Sequence, residues 1–61
     1  MPISGKEMLK RYLQNGWVII RKKGSHYILR KRDKTEVIPI HGNEDLKRGL
    51  ERKLLKTLLD T

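Results

Sequence analysis

The fold is decided by residues 17–40, which read WVIIRKKGSHYILRKRDKTEVIPI. Runs of β-branched and aromatic residues alternate there with short polar connections, a pattern typical of strands joined by tight turns. We predict three strands, over residues 17–22, 26–31 and 36–40. Polar connections fall at residues 22–25 and 32–35. Pro39 cannot donate a hydrogen bond to a neighbouring strand, so it belongs near a strand end or on an edge.

A helix is predicted before this meander. Ser4 and Glu7 have the spacing of a capping box, in which each side chain bonds the other residue's backbone amide. Apolar side chains then recur at helical spacing and form one stripe, namely Met8, Leu9, Tyr12 and Leu13. The pair Asn15-Gly16 ends the helix, because glycine tolerates the left-handed conformation found at many helix ends.

A second helix is predicted at the end of the chain. His41-Gly42-Asn43 is a loop, and Asn43 is placed to cap a short helical turn through residues 44–46. The apolar face of the final helix comprises Leu50, Leu54, Leu55, Leu58 and Leu59, and Leu46 extends it one turn back. The periodicity does not decide whether Gly49 begins this helix or interrupts a longer one.

The resulting order, α-β-β-β-α, predicts a single α+β domain over residues 1–61. A three-stranded antiparallel sheet has one face to cover, and two amphipathic helices are available to cover it. We therefore expect both helices on one face of the sheet. The other face is left to solvent or to a ligand, as is common for antiparallel sheets.

Composition narrows the possible functions. The 61 residues include 15 Lys and Arg against 7 Asp and Glu, a net charge of +8, and no cysteine. A disulfide-dependent mini-protein is excluded, and no apolar run approaches the roughly 20 residues of a membrane span. No secretory signal pattern begins the chain, so we expect a soluble cytoplasmic protein without a membrane partner. The charge favours a polyanion partner, nucleic acid or an acidic protein, although a merely solvated basic surface is the alternative.

His26 is the one plausible catalytic group, since it directly follows the turn Gly24-Ser25 at the start of a strand. Lys22, Lys23 and Arg30 lie near it in sequence or on paired strands, so a phosphodiester would meet both cations and an imidazole. RNA carries its own nucleophile, the 2′-hydroxyl, and a general base is worth about 10²–10⁴ in rate. Neighbouring positive charge favours the neutral imidazole, which suits a base. A surface, capping or phosphate-contacting histidine is the alternative.

The other candidate groups are less specific. The general acid is left open among Lys22, Lys23, Tyr27 and water. His41 either pairs with His26 as acid and base or orders its loop, and two histidines without cysteine make a poor metal site. Aromatic residues Trp17 and Tyr12 either stack on bases or pack in the core. Basic runs at residues 31–34 and along the last helix are either solvated surface or a phosphate footprint.

The sequence resembles the HicA family of mRNA interferase toxins. The resemblance is carried by Gly24-Ser25-His26, by Ile38-Pro39-Ile40-His41, and by Leu46-Lys47 with Gly49 before a leucine-rich helix. It implies a fold like the double-stranded RNA-binding domain, a ribonuclease activity that arrests translation, and His26 as the essential residue. It also implies an antitoxin partner of the HicB type, to which a basic toxin is electrostatically suited.

From these features we expect a metal-independent endoribonuclease with no cofactor. Its RNA- or phosphate-binding residues are expected to be Lys22, Lys23, Ser25, Arg30 and Lys31, with Gly24 and His41 in support. The family commonly opens its last helix with Pro-Gly-Thr, whereas this chain has Arg48-Gly49-Leu50, so the helix start is expected to be capped differently. The competing classes are a non-catalytic RNA-binding module and a structural domain that binds an acidic protein.

Overall fold

The computed structural model describes residues 2–60 and has the predicted order of elements. These elements are α1 (Gly5–Gln14), β1 (Val18–Lys23), β2 (His26–Lys31), β3 (Lys34–Pro39) and α2 (Arg48–Leu59). The three strands form one antiparallel sheet in the order β1-β2-β3. Within this described part, no helix is long and apolar enough to cross a membrane.

Strand β2 lies at the centre of the sheet, and its register fixes which residues share a face. His26 lies opposite Lys23 on β1 and opposite Pro39 on β3. Three residues further on, Leu29 lies opposite Glu36. Because side chains alternate along a strand, His26 and Leu29 point to opposite faces of the sheet.

Both ends of the first and third strands differ from the predicted bounds, by one or two residues. Strand β3 begins at Lys34 rather than at residue 36, because the connection before it is only two residues long. Arg32 makes this possible by adopting a φ of +57°, in the left-handed region. Strand β1 begins one residue later than predicted, because the amide of Trp17 still donates to the carbonyl of Tyr12 at the end of α1, at 3.1 Å.

The core lies between the sheet and both helices. Five side chains are fully buried there, namely Met8, Tyr12, Leu29, Ile38 and Leu54, and Trp17 is only 2% exposed. The Tyr12 hydroxyl donates to the Leu54 carbonyl at 2.7 Å and so joins the two helices. Both helices therefore cover one face, as predicted. For Trp17 and Tyr12 the core interpretation is confirmed and base stacking is wrong, since neither ring is accessible.

Helix α1 begins with a side-chain cap, and α2 does not. The Ser4 hydroxyl accepts from the Glu7 amide at 3.1 Å, as predicted, while the Glu7 carboxylate accepts from Arg11 at 3.3 Å. At α2 the N-cap residue Lys47 makes no side-chain capping bond. Gly49 is the second residue of α2, so it lies at the start of that helix and does not interrupt a longer one.

The predicted helical turn at residues 44–46 is wrong. Asp45 instead forms an isolated antiparallel bridge with Ser4. The amide of Leu46 donates to the carbonyl of Ile3 at 2.8 Å. Because the backbone there is satisfied by the N-terminal segment, it has no need of helical hydrogen bonds.

Candidate functional site

A depression of about 320 Å³ opens at the end of the sheet where β2 begins and β3 ends. Its walls come from the two strands, from the loop between β3 and α2, and from the first turn of α2. The lining residues are His26, Pro39, His41, Glu44, Asp45, Leu46, Lys47 and Leu50. It brings both histidines of the chain to one place.

His26 occupies the position that the sequence predicts. Gly24 turns the chain with a φ of +59°, in the region that favours glycine. The strand then starts at His26, whose side chain is exposed. Because the ring is anchored at the first position of a paired strand, its direction is set by the sheet and its approach from solvent is open.

His41 lies beside His26, with the ring centroids 6.3 Å apart and the ring planes at 87°. The residues just before them are joined directly, because the amide of Ile40 donates to the carbonyl of Ser25 at 2.8 Å. The carbonyl of His41 in turn accepts from the amide of Glu44 at 3.0 Å. The loop after β3 is therefore fixed against the turn that carries His26.

A second, shallower depression of about 380 Å³ continues from His26 along β3. Thr35 and Val37 line it from the strand, and Lys53 lines it from α2. Lys53 also lies 3.5 Å from the Glu36 carboxylate, which accepts from the Thr57 hydroxyl at 2.8 Å. His26 thus stands between two adjoining concavities, and an extended ligand can occupy both.

Lysines 22 and 23 of the first hairpin lie on opposite faces of the sheet. Lys23 pairs with His26 in the register, so both side chains leave the same face. Lys22 pairs with Tyr27 instead, and its ammonium lies 5.3 Å from the centroid of that ring. Lys23 is therefore the cation of this pair that a ligand at His26 would meet.

Arg30 and Lys31 are not brought to the histidines. They lie four and five residues further along β2, a distance of about 13 Å or more at 3.3 Å per residue. The Arg30 side chain donates to the carbonyl of Arg32 at 2.9 Å, and the Lys31 ammonium donates to the carbonyl of Asn15 at 2.7 Å. The expected phosphate-binding set therefore does not converge on one site.

The sequence predicts no site role for Glu44 or Asp45, and it places Lys47 only in the basic face of the last helix. Their place in the depression follows from the pairing of Asp45 with Ser4, which draws residues 44–47 back towards the end of the sheet. The available signal was the loop His41-Gly42-Asn43, in which Gly42 has a φ of +58° and reverses the chain. Among residues 2–60 no three His, Cys, Asp or Glu side chains are grouped so that they could hold a metal ion.

Comparison with known proteins adds a family to this geometry. The sequence profile of the HicA toxin of bacterial toxin–antitoxin systems matches residues 5–58 of the chain. Searches of curated proteins and of solved structures gave no significant match. The matched range contains all five helices and strands except the last residue of α2, and it includes both histidines of the depression.

Proposed function

The chain belongs to the HicA toxin family of bacterial toxin–antitoxin systems, and from that premise we propose that it is an endoribonuclease that cleaves mRNA and thereby arrests translation. A toxin of this kind has an antitoxin partner. We propose that the partner is of the HicB type and that it covers the depression around His26. Because the proposed substrate is mRNA, we propose that the protein acts in the cytoplasm.

The proposed reaction is an intramolecular transesterification of RNA. The neutral imidazole of His26 takes the proton of the 2′-hydroxyl, and the resulting oxygen nucleophile attacks the adjacent phosphorus. General-base assistance of this kind contributes about 10²–10⁴ in rate. The reaction needs no metal ion, because the nucleophile belongs to the substrate and the phosphate charge is met by protein cations.

One observation supports this proposal most directly: His26 is exposed at the start of a strand, inside a concave site. Lys23 leaves the same face of the sheet and is available to contact a non-bridging phosphate oxygen. The adjoining depression along β3 extends the site beyond a single phosphate.

The test is incubation of the purified protein with single-stranded RNA in excess EDTA. We expect the wild-type protein to cleave and His26→Ala to be slower by at least about 10²-fold. The matched control is Gln14→Ala, an exposed neutral change at the far end of α1, which should cleave as the wild type does. Products should end in a 2′,3′-cyclic phosphate or in its hydrolysed form.

Other outcomes separate the competing functions. Cleavage that EDTA abolishes contradicts the metal-independent mechanism. RNA binding without cleavage, equal for the wild type and His26→Ala, would identify a binding module. If the chain neither binds RNA nor stops growth when expressed without an antitoxin, the ribonuclease proposal is wrong and a structural role is favoured.

A further inference from the structure

We propose that His41 is the general acid of this reaction and that it protonates the 5′-oxygen that leaves as His26 deprotonates the 2′-hydroxyl. The assignment rests on the proposed ribonuclease function and goes beyond it, because it names the second proton-transfer group. Cleavage of an RNA phosphodiester produces an alkoxide leaving group, which departs slowly unless a proton reaches it.

The two rings are close enough for one bound phosphate group to contact both. The centroids lie 6.3 Å apart and the planes are nearly perpendicular, at 87°. A general acid or base acts when it lies about 2.6–3.2 Å from the oxygen that it serves. A phosphate bound in the depression across both rings can therefore present its attacking oxygen to one imidazole and its leaving oxygen to the other.

Backbone pairing holds the two residues next to each other. His26 and His41 each follow directly on one partner of the hydrogen bond between the Ser25 carbonyl and the Ile40 amide. Helix α1 also packs against this part of β3, because the backbone of Gly5 contacts Pro39 and Ile40. Groups held at a reactive separation before the substrate binds lower the entropic part of the barrier.

Other proton donors fit this role less well. The hydroxyl of Tyr27 and the ammonium of Lys22 belong to the opposite face of the sheet. Lys47 also lines the depression, but an ammonium is ordinarily a weaker acid than an imidazolium. Histidine is the side chain whose ordinary pKa lets it give and take a proton in this range.

The step conserves protons and electron pairs. Neutral His26 accepts the proton of the 2′-hydroxyl, and the oxygen lone pair forms the new bond to phosphorus. The bond from phosphorus to the 5′-oxygen breaks with its electron pair on that oxygen, which takes the proton from the His41 imidazolium. The products are a 2′,3′-cyclic phosphate and a free 5′-hydroxyl, and exchange with water restores both rings.

The decisive experiment compares two oligonucleotides that differ only at the leaving atom. One has the natural 5′-oxygen, and the other has a bridging sulfur, which departs as a thiolate without needing a proton. We expect His41→Ala to cleave the oxygen substrate at least about 10²-fold slower than wild type and the sulfur substrate at a rate close to wild type. His26→Ala should be slow on both substrates.

Three other results would overturn the assignment of His41. If His41→Ala loses activity equally on both substrates, the ring positions the RNA or the loop and is not the acid. If His41→Ala keeps full activity on the oxygen substrate, the ring neither donates the proton nor positions the RNA. Either result overturns the proposal. Sulfur rescue of His26→Ala instead would reverse the two roles. If wild type cleaves neither substrate, the ribonuclease function itself fails, and the two failures are thereby distinguished. Activity on the sulfur substrate also reports that the variant is folded.

Discussion

Arg32 holds a backbone conformation that arginine rarely adopts. Its φ of +57° is the only positive value at a non-glycine residue among those described. The left-handed region costs an L-residue roughly 1–2 kcal/mol, whereas glycine occupies it freely. The sequence predicts a turn at this residue but not the strain, because the pattern Arg-Asp carries none of the usual signals for this conformation.

We therefore expect Arg32→Gly to raise the free energy of unfolding by about 0.5–1 kcal/mol, with the entropy of the added glycine offsetting part of the relieved strain. The control is Asp33→Gly in the same turn, where φ is not positive, and which should destabilise by a similar amount. Urea denaturation of the three proteins measures both effects. Equal destabilisation by the two glycines would contradict the strain at residue 32.

The buried phenol of Tyr12 makes stability depend on pH. Burial raises the pKa of Tyr12 to about 12, and the nearby Glu36 carboxylate adds to the rise, while a hydrogen bond with Thr57 acts in the opposite direction. The folded state thus prefers the neutral phenol. This preference stabilises the folded state fully below pH 10, where the tyrosine of the unfolded chain is also neutral. The stabilisation is lost as the pH rises from 10 to 12.

Tyr12→Phe tests this dependence. At neutral pH the substitution should lower the free energy of unfolding by about 1 kcal/mol, because the hydrogen bond to the Leu54 carbonyl is lost. Between pH 10 and 12 the free energy of unfolding of the wild type should fall by up to about 3 kcal/mol more than that of the variant. This value corresponds to a pKa difference of about two at 1.36 kcal/mol for each pKa unit. Lysine titration affects both proteins alike, so the difference between their unfolding curves isolates the phenol. Parallel curves would contradict the assignment.

At the scale of elements, two glycines in first helical turns have opposite surroundings. A Cβ on Gly5 of α1 would overlap the Pro39 carbonyl oxygen and would lie 3.1 Å from the Cα of Ile40. A Cβ on Gly49 of α2 would meet nothing within 4 Å. The first glycine is needed for the close approach of α1 to the end of β3, and the second is not.

Gly5→Ala should therefore destabilise the protein by about 1–3 kcal/mol, the usual range for overpacking, and should displace the segment that leads to His41. Gly49→Ala, its matched control, should stabilise by up to about 1 kcal/mol, because alanine is the better helix former. Thermal unfolding compares the two variants. Similar melting temperatures for both would show that α1 can move away from β3 at little cost.

Elements were predictable from the sequence where local signals specify them. Strand β2 has its predicted bounds because Gly24 fixes its start and a run of apolar residues follows. The buried face could not be predicted, because Tyr27, Ile28 and Leu29 are all apolar. Residues 44–47 were not predictable, because their conformation depends on pairing with Ile3 and Ser4, about forty residues away. Local patterns carry no information about such a contact, and half of the candidate site depends on it.

At the scale of the whole molecule, the two faces of the sheet differ in what covers them. Both helices cover one face of the sheet, and the described residues leave the other face open, with Val18 60% and Val37 40% exposed. Lys23 and His26 share this open face. The net charge of +8 was evident from composition, but which cations act together was not, since strand alternation and register separate neighbours in sequence.

The salt dependence of RNA binding should distinguish the cations that contact phosphate from those that do not. Affinity for a single strand falls with salt by a slope of about 0.7 for each phosphate neutralised, and a 2′-O-methyl RNA allows its measurement because it lacks the nucleophile. Lys23→Ala should reduce the slope by about 0.7. Lys31→Ala, matched in charge, should leave it nearly unchanged, because its ammonium is held by the Asn15 carbonyl at the other end of the sheet. Equal reductions would mean that the positive charge acts diffusely over the surface and that no phosphate is located beside His26.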